Sequence, residues 1–204
     1  MKIFKGLTIL AGIALLSSCI EHEVIPKPKK TVELNCSLNS TFQGSSYELI
    51  QDVNGYYCNP TQAKEILPTP QLSKIIYYSS IRSDEKLDFM QIGIGKLNFN
   101  ADNSITPSLE QFTTFFNANP DYKADADGGV EIVFRDGQGD VWKSMEGTGE
   151  PQSFEFTSIV QDSDEEGDYL KFVATFSASL FDDLTTPTDT IVFANARFEG
   201  YFKR

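Results

Sequence analysis

The side chains that could perform acid–base chemistry in this 204-residue chain are carboxylates, because histidine occurs only once. That histidine, His22, lies near the amino terminus, before the first segment with the hydrophobic pattern of a folded domain. Triads with serine or cysteine, and most zinc mechanisms, need an imidazole inside a shaped site. Paired carboxylates could serve a glycosidase, but the acids concentrate in predicted turns, where aspartate usually accepts hydrogen bonds from its own backbone. The sequence therefore predicts no enzyme and no catalytic residue, with a small carboxylate-dependent hydrolase as a remote alternative.

Two aspartate-rich loops are the candidates for binding a metal. The first contains Asp125 and Asp127, and the second contains Asp162 and Asp164. Calcium binds several carboxylate and carbonyl oxygens from one flexible loop. The second loop begins like an EF-hand, but Val173 stands at the twelfth position, where that motif needs a bidentate glutamate. We therefore expect solvated loops, no metal and no cofactor, with calcium at these aspartates as the alternative.

Three aromatic residues, Tyr57, Tyr78 and Trp142, are candidates for stacking against a sugar ring. Both tyrosines belong to Tyr-Tyr pairs in segments with strand character, and neighbouring side chains of a strand point to opposite faces. One ring of each pair is therefore expected to face solvent. The interpretation that we favour places Trp142 in the core and the outer tyrosines over a sheet edge.

The amino-terminal segment, residues 1–18, has the pattern of a secretion signal. Two lysines precede an apolar stretch, Leu7–Leu16, which is much shorter than the roughly 20 residues of a membrane-spanning helix. The following Leu16-Ser17-Ser18-Cys19 resembles the bacterial lipobox. The resemblance implies cleavage before Cys19, acylation of that residue with palmitate-type chains, and passage to the outer membrane, because Ile20 and not aspartate follows. The protein would face the periplasm or the cell surface. The alternative is an ordinary signal peptide in which the cysteine is incidental.

Residues 19–31 are predicted to be the lipidated cysteine and a flexible tether, since they contain prolines and lysines without hydrophobic periodicity. Residues 32–204 then form a single β-rich domain. The whole chain has a formal net charge of −12 at pH 7. A chain of this charge repels phosphate backbones and anionic headgroups, which excludes nucleic acid as a partner and leaves the lipid anchor as its contact with the membrane.

Cys36 and Cys58 form an even pair once Cys19 is assigned to lipid. In an oxidising compartment such a pair predicts a disulfide. The alternative is two buried free thiols on neighbouring strands.

Apolar and polar residues alternate with period two over most of the domain, which predicts half-buried strands. The longest run alternates from Leu170 to Leu180, and a shorter one covers 130–135. A third run places Val192, Ala194, Ala196, Phe198 and Phe202 on one face. The phase breaks between Leu87 and Phe99, near Gly93 and Gly95, and predicts bulges there.

One helix is predicted, with Thr106 as its N-cap and an end at Asn119-Pro120, and a shorter helical turn is possible over Thr61–Glu65. Three loops are predicted to connect neighbouring strands: Asp136–Gly139, Asp162–Asp168 and Asp182–Asp189. The expected fold is mainly β, an antiparallel β-sandwich or flattened barrel with one or two short helices.

Three segments are similar to a pattern found in small uncharacterised lipoproteins of the Bacteroidota: residues 129–144, 152–156 and 194–202. The resemblance covers roughly residues 105–204 and the signal. It implies an envelope location and a β-rich fold, and it assigns no site residues. We therefore expect a lipid-anchored envelope lipoprotein with a non-enzymatic binding or accessory module for a glycan or an envelope protein. A structural subunit of an envelope assembly is the alternative, for which a long uncovered strand edge would be the sign.

Overall fold

The computed structural model describes residues 29–123, 126–148 and 152–204. The predicted signal peptide, the lipobox with Cys19, and His22 lie outside the described residues, as does the calcium candidate Asp125. A compact unit spans Thr31–Arg204. Within the described ranges, we find no helix that is both long and apolar enough to cross a bilayer.

Ten strands and one short helix form the regular structure of the described residues. In chain order the strands are β1 (Ser37–Phe42), β2 (Ser45–Ile50), β3 (Tyr56–Glu65), β4 (Ser73–Ser83), β5 (Phe89–Phe99), β6 (Val130–Arg135), β7 (Val141–Ser144), β8 (Ser153–Asp164), β9 (Gly167–Phe181) and β10 (Thr190–Lys203). The helix, α1 (Leu109–Phe115), lies between β5 and β6 in the chain.

The strands form one antiparallel sheet in the order β2-β1-β10-β9-β7-β6-β5-β4-β3, and β8 pairs with β9 outside this path. The sheet branches at β9, because the first part of β9 pairs with β8 whereas Leu180 and Phe181 pair with β7. β10 also packs against β3 and β4, so the sheet curls until the β3–β4 end of the strand order lies against β10. The predicted fold class, a mainly β antiparallel sandwich or flattened barrel with a short helix, is confirmed.

Phenylalanine side chains fill the interior of the curled sheet. On β9 every second side chain from Leu170 to Leu180 is buried, as the alternation predicts. Phe172 stacks on Phe202 of β10 with ring centroids 4.6 Å apart, and Phe116, just after α1, stacks on Phe202 at 4.8 Å. Such aromatic pairs add to the free energy gained by removing apolar area from water. The segment around α1 is therefore held to the sheet through the aromatic core.

The helix begins two residues later than predicted, because Ser108 and not Thr106 is the N-cap. The Ser108 hydroxyl accepts a hydrogen bond from Gln111 N at 3.1 Å, and the Gln111 side chain accepts one from Ser108 N at 2.9 Å. This capping box satisfies backbone N–H groups that the first turn leaves without helical partners. The helix ends at Phe115, earlier than the predicted end at Asn119, because the backbone of Phe116 is extended.

The helical turn predicted over Thr61–Glu65 is wrong. These residues belong to β3 and pair with Lys74–Tyr78 of β4. Cross-strand pairing with β4 decides strand formation here, since four of these five residues are exposed, and it overrides the weak local helix preference.

β10 contains a bulge at Asn195 that changes which residues face the core. The register with β9 shifts between Phe193 and Ala196, and Asn195 has a φ of 49°. An extra residue reverses the alternation, so Phe193 and Ala196 are both buried. The prediction that Val192 and Ala194 share the core face is therefore wrong, since Val192 is exposed and Ala194 is half-buried.

A bulge also interrupts β5, as the broken phase of its sequence predicts. Ile75 of β4 pairs with Leu97, whereas Tyr77 pairs with Ile94, so β5 has one extra residue at Gly95-Lys96. The bulge keeps both Ile94 and Leu97 on the core side of the strand.

Side chains help to join the two ends of the curled sheet. The disulfide between Cys36 and Cys58, predicted from the sequence, links the segment before β1 to β3 with Cα atoms 5.7 Å apart. On the same side, the Gln62 amide of β3 donates a hydrogen bond to the carbonyl of Lys203 on β10. These contacts hold β3 against β1 and β10, which lie six or more positions away in the strand order.

Candidate binding surface

The least covered part of the sheet is the second half of β8. Five consecutive residues, Thr157–Gln161, are exposed, although a strand with one face on the core should alternate between buried and exposed positions. Ile159 and Val160, which point to opposite faces, are 39% and 50% exposed. Both faces and one edge of this segment, which we call the β8 edge, are therefore open to solvent.

The local structure of β8 explains where the open segment begins. Phe154 and Phe156 alternate correctly and are buried, and Phe156 N donates to Ala118 O at 2.8 Å, so the chain after α1 covers the edge there. A register shift between Phe156 and Ser158 then bulges the strand at Thr157. Beyond Phe156, we find no backbone hydrogen bond between described residues that reaches the outer edge of β8.

The other edge strands carry protection that the β8 edge lacks. Natural sheets block unwanted pairing at an edge with short strands, prolines and charged side chains. β3 contains Pro60, Lys64 and Glu65, and β2 is six residues long and contains Glu48. From Thr157 to Gln161, β8 has neither a proline nor a charged side chain. The bulge at Thr157 shortens the part of this segment that has regular strand geometry. The β8 edge is thus the place where an added strand would meet least obstruction.

A groove with a volume of about 250 Å³ runs beside the β8 edge on the outer face of the sheet. It is lined from β8, β9, β10 and the segment before β1, and its walls include Glu33, Ser158, Val160, Lys171, Val173 and Glu199. The Lys171 ammonium lies 3.2 Å from Asp162 Oδ2, which holds a cation at the groove wall. The groove therefore combines apolar residues such as Val160 and Val173 with charges of both signs, and suits the side chains of an extended peptide.

The aspartates predicted as calcium candidates have other roles in the described structure. Asp164 accepts hydrogen bonds from Glu166 N and Gly167 N, and its other oxygen accepts one from Val32 N at 2.9 Å. These bonds, the one from Val32 first, hold the pKa of the Asp164 carboxyl below its usual range. Asp162 pairs with a lysine as described, and Asp127 lies 2.9 Å from Lys96 Nζ.

Within the described ranges, no group of three or more histidine, cysteine, aspartate or glutamate side chains is arranged to hold a metal ion. The structure therefore brings no set of calcium ligands together from Asp127, Asp162 and Asp164.

The aromatic candidates lie apart from one another. Trp142 is buried in the core, and its indole N–H donates to Asp136 Oδ2 at 3.3 Å. Tyr57 and Tyr78 are half-buried on the outer face of β3 and β4. Tyr57 pairs with Arg82, four positions from Tyr78, so the two tyrosines are separated by about 13 Å along the strands. They form no common platform for a sugar.

Sequence reasoning missed the β8 edge. The signal was the adjacent pair Ile159-Val160, which breaks the alternation set by Phe154 and Phe156. Such a pair also fits a strand buried on both faces. The topology decides between the two, because β8 branches off the sheet and has β9 as its one strand partner within the described residues.

Comparisons of the chain with protein-family profiles, with curated proteins and with solved structures gave no match. Over the residues that the structure describes, the fold and the surface define a mainly β domain with the Cys36–Cys58 disulfide and an open strand edge at β8.

Proposed function

We propose that this protein is a lipid-anchored lipoprotein of the outer cell envelope whose domain is a non-enzymatic module for binding a protein. The observation that carries the binding proposal is the run of five exposed residues along an unpaired strand edge, Thr157–Gln161. An extended segment of the partner would add to the sheet beside β8, so that its backbone pairs with β8 and its side chains enter the neighbouring groove. In this mode, backbone hydrogen bonds supply affinity and side-chain pockets supply specificity.

A glycan ligand has less support than a protein ligand. Sugar binding by stacking needs an exposed aromatic platform, whereas Trp142 is buried and Tyr57 lies far from Tyr78. The carboxylates near the groove, Glu33 and Glu199, lie beside Lys171 on an open sheet surface and not in a closed pocket. An open surface of this kind favours the binding of a partner over the hydrolysis of a glycosidic bond by paired carboxylates.

A structural subunit of an envelope assembly is the second candidate, and the same observation favours it. An uncovered edge strand can pair with a neighbouring subunit as readily as with a peptide. The two functions differ in the lifetime of the contact, because an assembly subunit would use the β8 edge continuously and a binding module would use it in exchange with free partners.

The envelope location is supported by the secretion signal, by the lipobox-like Leu16-Ser17-Ser18-Cys19 and by the Cys36–Cys58 disulfide, since disulfides persist in oxidising compartments. Metabolic labelling with a fatty acid tests the anchor. The wild-type chain should take up label and a Cys19→Ala variant should not. Equal labelling of both would reject Cys19 as the acylated residue.

The binding site is tested by affinity capture from envelope extracts with the full chain and two matched variants. Val160→Lys puts a charge on the β8 edge, which should reduce the captured amount of a specific partner at least about tenfold. Val192→Lys is the control, because Val192 is 44% exposed but lies on β10, whose two edges pair with β1 and β9. A partner that both variants capture as well as wild type would not bind at the β8 edge.

A further inference from the structure

One end of the curled sheet carries a group of exposed apolar side chains. β3 and β5 end there and β4 begins there, so the β3–β4 loop and the β5–α1 loop lie at the same end. The Gln62–Lys203 hydrogen bond places the end of β10 there too. The large apolar side chains exposed on these loops and at the start of α1 are Ile66, Leu72, Ile105 and Leu109. We call these four residues the apolar end.

The loops that carry the apolar end are bonded to each other. Lys64 Nζ donates to Ile105 O at 3.5 Å and to Thr106 Oγ1 at 3.4 Å, and the Thr69 hydroxyl donates to Asp102. Ile105 is nevertheless 65% exposed and Leu72 is 52% exposed. The hydration of these apolar side chains is unfavourable, so a surface that covers them lowers the free energy.

The chain enters the domain at this same end. Val32 N donates to the carboxylate of Asp164, the last residue of β8. Close by, Arg204 N donates to Asp168 O at 3.0 Å and the Arg204 guanidinium donates to Pro107 O at 2.8 Å. Pro107 precedes Leu109 by two positions. The residue that follows the predicted tether is therefore connected by hydrogen bonds to the end that bears the apolar side chains.

We infer that the apolar end lies against the surface of the lipid bilayer in which Cys19 is anchored, an inference that rests on the proposed lipid anchor. Residues 19–31 would separate the lipid from the domain. At roughly 3.5 Å per residue, this segment spans at most about 45 Å, so the domain stays near the bilayer. The tether joins the domain at the apolar end, through Val32. Contact with the interface removes the four apolar side chains from water.

The acidic net charge of the chain favours a zwitterionic lipid surface over an anionic one, and the end itself carries both signs, with Lys64 and Arg204 among the acids. Glu165 and Glu166 are exposed in the β8–β9 turn, and Lys74 is paired with Glu65 at 3.4 Å. With a net charge of −12 for the whole chain, anionic headgroups repel the domain within about a Debye length. Docking therefore depends on apolar contact and is weakened by anionic lipid.

Quenching of tryptophan fluorescence by brominated acyl chains tests this orientation. The full chain, lipidated at Cys19, is reconstituted in phosphatidylcholine vesicles with and without bromine on the acyl chains, in parallel with Ile105→Trp and Leu87→Trp variants. Leu87 is the matched control: it is 52% exposed, against 65% for Ile105, and it lies in the β4–β5 loop at the opposite end of β4, where Ile50, Val53 and Val141 are exposed as well. Trp142 supplies the same background in every sample.

The Ile105→Trp variant should lose about half of its added fluorescence in brominated vesicles, because only indoles in the interface meet the bromines. The Leu87→Trp variant should match wild type. Adding anionic phosphatidylglycerol should reduce the quenching. If the Ile105→Trp variant remains unquenched, or is protected equally in a lipid-free dimer seen by sedimentation, the inference is overturned.

Mass spectrometry of the reconstituted protein separates this inference from the proposed anchor. Acylated Cys19 without quenching rejects the apolar end and leaves the anchor in place. Unmodified Cys19 rejects the anchor. In that case the same variants are coupled through the Cys19 thiol to a maleimide lipid, and quenching then decides whether the apolar end meets the bilayer.

Discussion

The carboxylate of Asp88 is shared by two tyrosines from the two terminal strands of the sheet. Tyr47 of β2 and Tyr56 of β3 each donate a hydrogen bond to it, and both O–O distances are 2.6 Å. Hydrogen bonds to a charged acceptor are stronger than those between neutral groups. One side chain from the β4–β5 loop thus connects strands that have no ladder between them.

Replacing Asp88 by alanine should lower the free energy of unfolding by about 2 kcal/mol or more, because two partly buried hydroxyls lose their acceptor. Asp84→Ala is the matched control. Asp84 accepts from Tyr57 at 2.9 Å in an exposed pair, whose loss should cost much less than the loss at Asp88 because water replaces the acceptor. Urea unfolding measures both. Equal losses for the two variants would contradict a special role of Asp88.

Stability should fall in alkali because of these same tyrosines. Burial, followed by the hydrogen bond to Asp88, raises the pKa of Tyr47 and of Tyr56 above the ordinary value of 10.0. Below pH 10 both tyrosines are protonated in the folded and in the unfolded state, so their contribution to the free energy of unfolding is fully present. Above pH 10 the unfolded chain loses protons that the folded chain retains, and the free energy of unfolding decreases with pH.

Denaturant unfolding between pH 8 and about pH 11 checks this direction, with the tyrosinate absorbance followed in parallel. A Tyr47→Phe variant should start less stable and decline less steeply, by up to about 1.4 kcal/mol per pH unit. Parallel declines for wild type and variant would show that Tyr47 ionises normally in the folded state.

At the scale of the element, β5 depends on glycine at the point where a ring crosses it. A Cβ added at Gly93 would lie 2.7 Å from Cε1 of Tyr78 on the neighbouring strand. The ring of Tyr78 therefore rests on the bare backbone of β5. A substitution there has to move the ring or the strand.

Gly93→Ala should lower the free energy of unfolding by about 1–3 kcal/mol through this overpacking. Gly137→Ala is the control, because a Cβ at Gly137 meets no atom within 4 Å. Thermal unfolding compares the two. A Tyr78→Ala variant should tolerate Gly93→Ala with little further loss, and a full additional loss would place the conflict elsewhere.

The elements that the sequence predicts well are those whose pattern is local. β9 needs only the alternation from Leu170 to Leu180, in which every second residue is apolar and buried. β10 and β3 were misjudged in part because their outcome depends on partners. The bulge at Asn195 appears only in the pairing with β9, and Thr61–Glu65 becomes a strand only beside β4.

The binding surface belongs to the whole molecule and is therefore hard to predict. Val160 of β8 and Ile132 of β6 are similar side chains in strands, but Val160 is half-exposed and Ile132 is completely buried. The difference comes from the branch at β9, which leaves β8 outside the main strand order. Pair formation by Cys36 and Cys58 was predictable, because the predicted secretion signal implies an oxidising compartment and the assignment of Cys19 to lipid leaves two cysteines.

The disulfide stabilises the molecule as a whole, since it ties the start of the sheet to β3 on the far side. Its 22-residue separation corresponds to about 3 kcal/mol from restriction of the unfolded chain. Reduction should therefore lower the free energy of unfolding by about this amount. The measurement is urea unfolding of a Cys19→Ser chain with and without dithiothreitol, so that Cys36 and Cys58 are the sole thiols. A Cys36→Ala/Cys58→Ala variant should have the free energy of unfolding of the reduced protein, and dithiothreitol should not change it. If reduction leaves the unfolding midpoint unchanged, the closure of the sheet does not depend on this bond.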